Sequence, residues 1–536
     1  MDRRALLGSL AAVLAAGACS PGRGRDGATP SVPAQRSTGT QTGPPTTPSG
    51  PSPGHGGRPA RAGAAAWRSL GGGLDGRLIL PGDADYTTAR KLYNTRFDGL
   101  RPAAVAYADG PADIQECLRF ARAHRLPVAV RNGGHSYGGW SSGDGRLVID
   151  VSPMDSVAPD GRDAAAVGAG ARIIGLYHGL DRVGRTVPAG SCASVGVTGL
   201  TLGGGHGVTS RAYGLTCDNL IAATIVTADG RIREVSAERE PALFWALRGA
   251  GGGNFGVVTA LRFRTHPAPE VVVGHLSWPW SRAAAVLTAW QDWAPGLPDE
   301  IWSGCHLVAG PGGEPTFSVS ALSLGTEGGL RNAVDRLADR AGASAASVSL
   351  RPRPHLDAML GYAGCGGLEE EQCALPGALP GRSRAGVLPR ETYASASDFF
   401  DRELPAAGVR ALITAVERFT RLPAGRAEGA VLLTALGGAV NRIPPTATAF
   451  VHRRSRVLAQ YTASWAAGAA GAPQRAWLRG THTSLRSWAS GAAYQNYPDA
   501  GLRDWRRAYY GPAAARLGRL KAQYDPERVF GFPQGL

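Results

Sequence analysis

The sequence predicts an α+β fold with mixed sheets, built in two globular blocks behind a polar leader. Three observations carry that reading. Short apolar strands alternate with amphipathic helices from Pro111 onward. A second run of strands and helices, from about Val271 to Ala466, has a hydrophobic pattern of its own. The chain has 536 residues, 43% hydrophobic and 18% charged, which supports a large buried core and excludes a disordered protein. No solenoid-type repeat is present.

The elements follow in order. Met1 to Arg4 is charged, and Ala5 to Ala18 is an apolar run too short to span a bilayer, so residues 1–18 read as a signal peptide. Arg3-Arg4 resembles a twin-arginine export signal. Ala16-Gly17-Ala18-Cys19 resembles a lipobox with Ala where Leu is usual, which makes Cys19 a candidate lipid anchor; a plain secretory signal is the alternative. Residues 19–75 are rich in Pro, Gly, Ser and Thr and are expected to form an unstructured tether. Leader and tether together predict an exported protein, either a cell-surface lipoprotein or secreted. Pro111 to Arg125 has helical spacing with Asp113 near its start. Pro127 to Arg131 is a short strand that runs into a glycine loop, and Arg146 to Val151 is another strand. Asp163 to Gly170, the Tyr177 region and Ile221 to Ala228 repeat this grammar, and Ala407 to Phe419 is an amphipathic helix of the second block.

The formal net charge is +15. Lys91 and Lys521 are the lysines, so the excess is arginine spread along the chain, and no basic cluster is interleaved with aromatics. A nucleic-acid partner is therefore not expected. Cys365 and Cys373 bracket a short loop that a disulfide could close in an oxidising compartment, while Cys117 falls in a core pattern with Ile114, Leu118 and Ala121. Cysteine and histidine spacings match no zinc site, so no metal is expected.

Arg131-Asn132-Gly133-Gly134-His135-Ser136-Tyr137-Gly138-Gly139 is the informative stretch. Closely spaced glycines let the backbone turn successive N–H groups toward one anion, and a diphosphate suits such a nest. A second glycine loop runs from Gly199 to Gly207. The spacing matches neither the Walker nor the Rossmann pattern. Two such loops in one α+β unit point to a dinucleotide clamped from two sides.

His135 in its Arg-Asn-Gly-Gly-His-Ser-Tyr context, Leu202-Gly-Gly-Gly-His-Gly207 and Tyr213-Gly-Leu-Thr-Cys-Asp-Asn-Leu220 resemble the berberine bridge enzyme-like flavin oxidases of the vanillyl-alcohol oxidase/p-cresol methylhydroxylase superfamily. Tyr494-Gln-Asn-Tyr-Pro-Asp499 and Lys521-Ala-Gln-Tyr-Asp-Pro526 extend the resemblance to the C-terminus. It implies a two-part FAD-binding domain of p-cresol methylhydroxylase type with an inserted α/β substrate domain. The corresponding divisions are 76–268 for FAD, 269–480 for substrate, and 481–536 for a segment that completes the FAD site. It implies bicovalent FAD, His135 joined to the flavin 8α-methyl and Cys217 to C6. Arg131, Asn132, Gly133, Gly134, Ser136, Tyr137 and Gly138 would cradle the diphosphate. Gly190, Ser191, Val195, Gly196, Gly199, Gly204, Gly205 and Gly207 would form the opposite wall, with Val257 toward the adenine and Asn496 closing over the cofactor.

The same resemblance implies an oxidoreductase that takes a hydride from an alcohol donor and passes electrons to dioxygen, giving peroxide. Tyr494 and Tyr497 are the candidate bases, Tyr494 preferred, because a tyrosine motif at this place serves that role in carbohydrate-oxidising relatives. Asp398 to Arg402 and the helix carrying Glu417 are candidates for an acid that supports the base. The expected donor is a sugar or oligosaccharide oxidised at C1. Alternatives are oxidative tailoring or ring closure of a secondary metabolite, a dehydrogenase using another acceptor (Leu220 follows the cysteine by three), and a binding protein with structural FAD.

Overall fold

The computed structural model describes residues 62–536. The signal peptide, Cys19 and most of the expected tether lie outside the described residues. The last part of that tether is not a linker: Ala64–Gly72 is a helix, with Leu70 buried and Trp67 packed on Phe120 at 4.7 Å between ring centroids. Three alanines ahead of Trp67 supply helix propensity, and the two apolar side chains supply a face to bury.

The first half contains two sheets. A four-stranded sheet runs Arg77–Ile79, Ala104–Tyr107, Leu147–Asp150, Val128–Arg131 in spatial order, its last three strands parallel. A helix over Pro111–Ala123 packs on it, starting with Pro at its first turn. Asp113 of that turn accepts the backbone N–H groups of Asp75, Gly76 and Asp109 at 2.8–3.0 Å, which explains a buried carboxylate at a helix start. An antiparallel sheet runs Val157–Pro159, Ala164–Gly168, Gly256–Arg264, Leu220–Thr227, Ile232–Ser236.

The second half is a seven-stranded sheet in the order Ser347–Arg353, Val271–Trp278, Thr316–Ser323, Ile301–Ala309, Ala427–Ala435, Val457–Trp465, Tyr393–Phe400. Every neighbouring pair in it is antiparallel. An antiparallel sheet can cover one face and leave the other open, and this one does. Helices Ala283–Trp293, Glu327–Ala341, Ala406–Phe419 and Ala472–Leu485 pack on one face, meeting Cys305, Leu307, Val431, Leu433, Ala459 and Tyr461. The alternate residues face a cleft against the first half. Cys365 and Cys373 are disulfide-bonded, and their loop packs against Ile174 and Ala193. Among the described residues, no helix is long and apolar enough to cross a membrane.

A buried lysine helps to tie the C-terminal segment to the first half. Lys521 Nζ donates to Asp525 Oδ2 and Asn254 O, both at 2.6 Å, and to Phe530 O at 2.9 Å. The Lys521→Met variant leaves Asp525 buried without its cation, and we expect it to lose about 3–5 kcal/mol of stability. Denaturant unfolding checks this; a loss below about 1 kcal/mol contradicts it.

Candidate active site

The cleft between the two halves has a cavity volume of about 330 Å³, within the roughly 300–1,000 Å³ of an ordinary ligand pocket. One end is built by the two glycine loops. The strand Val128–Arg131 delivers Asn132 to Tyr137, and the chain from Gly190 to Gly199 meets them. At Gly133 and Gly196 the two backbones touch. A Cβ on Gly133 would lie 2.4 Å from Gly196 N, and one on Gly196 would lie 2.6 Å from Gly133 N, so no side chain fits at either position. A buried polar network sets this contact from beneath. Arg131 is ion-paired with Asp150, and Arg172 donates to Asn132 Oδ1, to Ser152 Oγ at 2.8 Å and to Gly170 O at 3.0 Å.

His135 projects from the first loop and stacks on Tyr93, with 3.9 Å between centroids and 18° between planes. Its Nε2 lies 2.9 Å from Ser194 Oγ, which leaves Nδ1 as the nitrogen without a partner in that pairing. Burial, reinforced by the Arg172 guanidinium, lowers the imidazole pKa to about 3, so the ring is neutral and its lone pair available.

The two tyrosines of the C-terminal motif differ in placement. Tyr494 is buried, its hydroxyl oxygen accepting Gly205 N–H at 2.8 Å and Asn496 Nδ2–H at 2.9 Å. Tyr497 is half-buried, stacked on Tyr137 at 5.2 Å and 6°, with its hydroxyl 2.8 Å from His206 Nε2. Gln460 Nε2 donates to the Tyr137 hydroxyl at 3.0 Å. Burial raises both phenols well above their usual pKa and lowers that of His206 to about 4. His206 is thus neutral and able to accept the Tyr497 proton.

Comparison with known proteins identifies the group that this geometry serves. A family model described as "FAD binding domain" matches residues 102–236, and one described as "Berberine and berberine like" matches residues 493–536. The FAD-linked oxidoreductase YgaK of Bacillus subtilis is 33% identical over 470 residues, covering 86% of this chain and 97% of the relative. A chitooligosaccharide oxidase of Gibberella zeae is 30% identical over 468 residues, covering 83% and 89%. The chain belongs to the berberine bridge enzyme-like family of FAD-linked oxidoreductases. Among solved structures, BBE-like 1 of Physcomitrella patens superposes with a TM-score of 0.79 at 28% identity, covering 88% of this chain and 98% of that one. The protein is therefore an FAD-linked oxidoreductase with the α+β fold of p-cresol methylhydroxylase type.

The residues fit FAD: two glycine loops touch at one end of a long cleft, and a neutral imidazole projects into it. Asn132, Gly133, Gly134, His135, Ser136, Tyr137, Gly190, Ser191, Val195, Gly196, Gly199, Gly207, Tyr494, Asn496 and Tyr497 all line it. Other predicted residues do not. The Arg131 side chain turns down to Asp150. Gly138 makes room for Trp140, whose ring a Cβ there would meet at 2.5 Å, and Trp140 lines the cleft instead. Gly204 and Gly205 sit behind Tyr494, Gly205 as its donor and Gly204 O accepting the Cys217 N–H at 2.8 Å. Val257 faces the core because strand alternation gives the cleft to Gly256 and Val258.

Cys217 is also off the cleft. It packs with Leu215, Val440, Phe399 and Phe450, its Sγ 3.6 Å from Asp218 Oδ1, and burial raises its pKa well above normal. A protonated thiol in an apolar cluster is not a poised nucleophile. The cysteine that lines the cleft is Cys192. Neither expected acid reaches it: Asp398 lies 3.2 Å from His482 and 3.3 Å from Arg486 on the helix side of the large sheet, and Glu417 accepts from Trp280 Nε1. Among the described residues lining the cleft there is no Asp or Glu.

Sequence reading missed His206, the turn Gly251 to Asn254, and the sheet residues Trp302, Gly304, His306, Thr434 and Gln460. Ile301–Ala309 has no clean alternation of polar and apolar residues, with Ser303 on the helix side and Val308 on the other, so the sequence held no signal for the latter. The Gly196→Val variant tests the cradle. It should fold but elute with at least tenfold less flavin than wild type, since the β-branched side chain separates the loops. Full flavin content after gel filtration contradicts this account.

Proposed function

We propose that this protein oxidises a neutral sugar or oligosaccharide at the anomeric carbon to a lactone, with FAD held through His135 Nδ1 and dioxygen as the final acceptor. The observation that carries the reading is the Tyr497–His206 pair on a cleft wall that has no carboxylate. When bound, the flavin supplies the acceptor for the hydride leaving the carbinol carbon and returns the electrons to dioxygen. The chain must remove the hydroxyl proton. Tyr497 remains a phenol, so it acts as a relay: its oxygen takes the substrate proton while its own proton passes to His206 Nε2. Tyr137 fixes the Tyr497 ring by stacking, and Gln460 fixes Tyr137. Tyr494, with two N–H donors on its oxygen, serves as a brace for the glycine loop. The chitooligosaccharide oxidase among the relatives supports a sugar donor.

The attachment is read through His135 and not through Cys217, which lies outside the cleft. Acid-precipitated wild-type protein should stay yellow and His135→Ala should release its flavin. Cys217→Ala should keep the colour. Peptide mapping that finds flavin on residue 217 overturns this assignment. The leader and Cys19 support export to the cell surface, and Cys19→Ser should move the protein from membrane to soluble fractions.

Anaerobic bleaching of the flavin by cellobiose, chitobiose and xylobiose tests the reaction. Tyr497→Phe should slow bleaching by about 10² or more, the scale of a lost general base, and Tyr494→Phe by less. The rate should fall only as pH drops through about 4, where His206 becomes charged and stops accepting, and His206→Gln should abolish that limb. Equal losses for the two tyrosine variants, or an acid limb unchanged in His206→Gln, contradict the relay.

A further inference from the structure

On the open face of the seven-stranded sheet, two ring side chains line the cleft with buried nitrogens that the protein leaves without partners. Trp302 is 8% exposed and His306 5%, and neither Trp302 Nε1 nor either ring nitrogen of His306 has a hydrogen bond. They stand four residues apart on one strand, so they share a face, with Gly304 between them. A Cβ on Gly304 would sit 3.0 Å from the Trp302 ring and 3.4 Å from His306 Nε2, so the two rings flank the space above the glycine. The strand register sets Thr434 opposite Gly304 and Leu432 opposite His306. Buried polar groups in native proteins are almost always hydrogen-bonded, and unpaired ones concentrated at a cleft point to a ligand that pairs them.

The chemistry of the vacant groups defines that ligand. An indole N–H can only donate, and a neutral imidazole offers one donor and one acceptor. Burial keeps His306 neutral, with a pKa lowered to about 4. The partner must therefore present acceptors and donors together without charge, as neighbouring hydroxyls do. A carboxylate would find no available cation, because Arg146 on the cleft wall is committed to Val128 O at 2.8 Å and Gly531 O at 2.7 Å. An aromatic alcohol carries too few polar atoms and would leave the nitrogens unpaired.

We propose that Trp302, Gly304 and His306 form a subsite that reads the hydroxyl groups of a neutral sugar ring, with Trp302 and His306 as specificity-determining residues. The proposal rests on the sugar-oxidation reading and deepens it. These residues bind and select the donor, and the proton relay lies with Tyr497 and His206.

Trp302→Phe and His306→Phe keep a ring in place and remove the nitrogens. In the holoenzyme each should raise the KM for cellobiose about tenfold or more, with a smaller fall in kcat. The ratio of kcat/KM for cellobiose over cinnamyl alcohol should fall at least tenfold. Calorimetric binding of 1,5-anhydroglucitol, which has no anomeric hydroxyl to oxidise, should weaken in parallel. Retained flavin absorbance and an unchanged unfolding midpoint certify the fold. If cellobiose bleaches the wild-type flavin but both variants keep its KM and the anhydroglucitol affinity, the subsite is wrong and the sugar reading stands. If wild type neither binds anhydroglucitol nor is bleached by any neutral sugar, both fall; bleaching by cinnamyl alcohol in that case leaves only a non-sugar alcohol oxidoreductase.

Discussion

The contact of two backbones at Gly133 and Gly196 is the constraint on which the cofactor site depends. Each position lies within 2.6 Å of where the other would need to place a side chain, so the loops approach as bare chain. Bare backbone alone would be floppy, since glycine loses more conformational freedom on folding than other residues. The buried Asp150–Arg131 pair and the Arg172–Asn132 contact offset that by fixing the loop ends. His135 takes its orientation from the same assembly, held between the Tyr93 ring and Ser194 of the opposite loop. A neutral imidazole, the two glycine loops and a close packing contact therefore share one set of residues.

The large sheet divides its work by strand alternation. Cys305, Leu307, Val431 and Leu433 bury against four helices, and the residues between them line the cleft. Substitutions on the cleft face can change what is bound with little disturbance of the core behind it. The Tyr497–His206 pair likewise sits on a cleft wall without a carboxylate among the described residues.

Much of the first half was legible because its signals are local. The helix at Pro111, the strands at Val128, Leu147 and Leu220, and both glycine loops lie within a residue or two of their expected places. The motif resemblance supplied FAD and pointed to His135 and the tyrosine pair, which line the cleft. What failed depended on long-range placement. Cys217 sits in a matching motif, yet the turn that follows Gly205 directs it into an apolar cluster with Phe399, Val440 and Phe450 from the second half of the chain. His206, which pairs with Tyr497 and not with Tyr494, comes from 291 residues away in the chain. The cleft face of the Ile301–Ala309 strand acquires meaning only from the register that sets Thr434 opposite Gly304. No window of sequence contains these facts.

The reaction assigned to the cleft is tested most directly by isotopic substitution at the reacting carbon. Anaerobic bleaching of the flavin is followed with cellobiose carrying deuterium at C1, and the product is identified after turnover in air. The account predicts slower bleaching with the deuterated sugar and an aldonolactone as product. Bleaching that ignores the label, or oxidation at any other carbon, contradicts it.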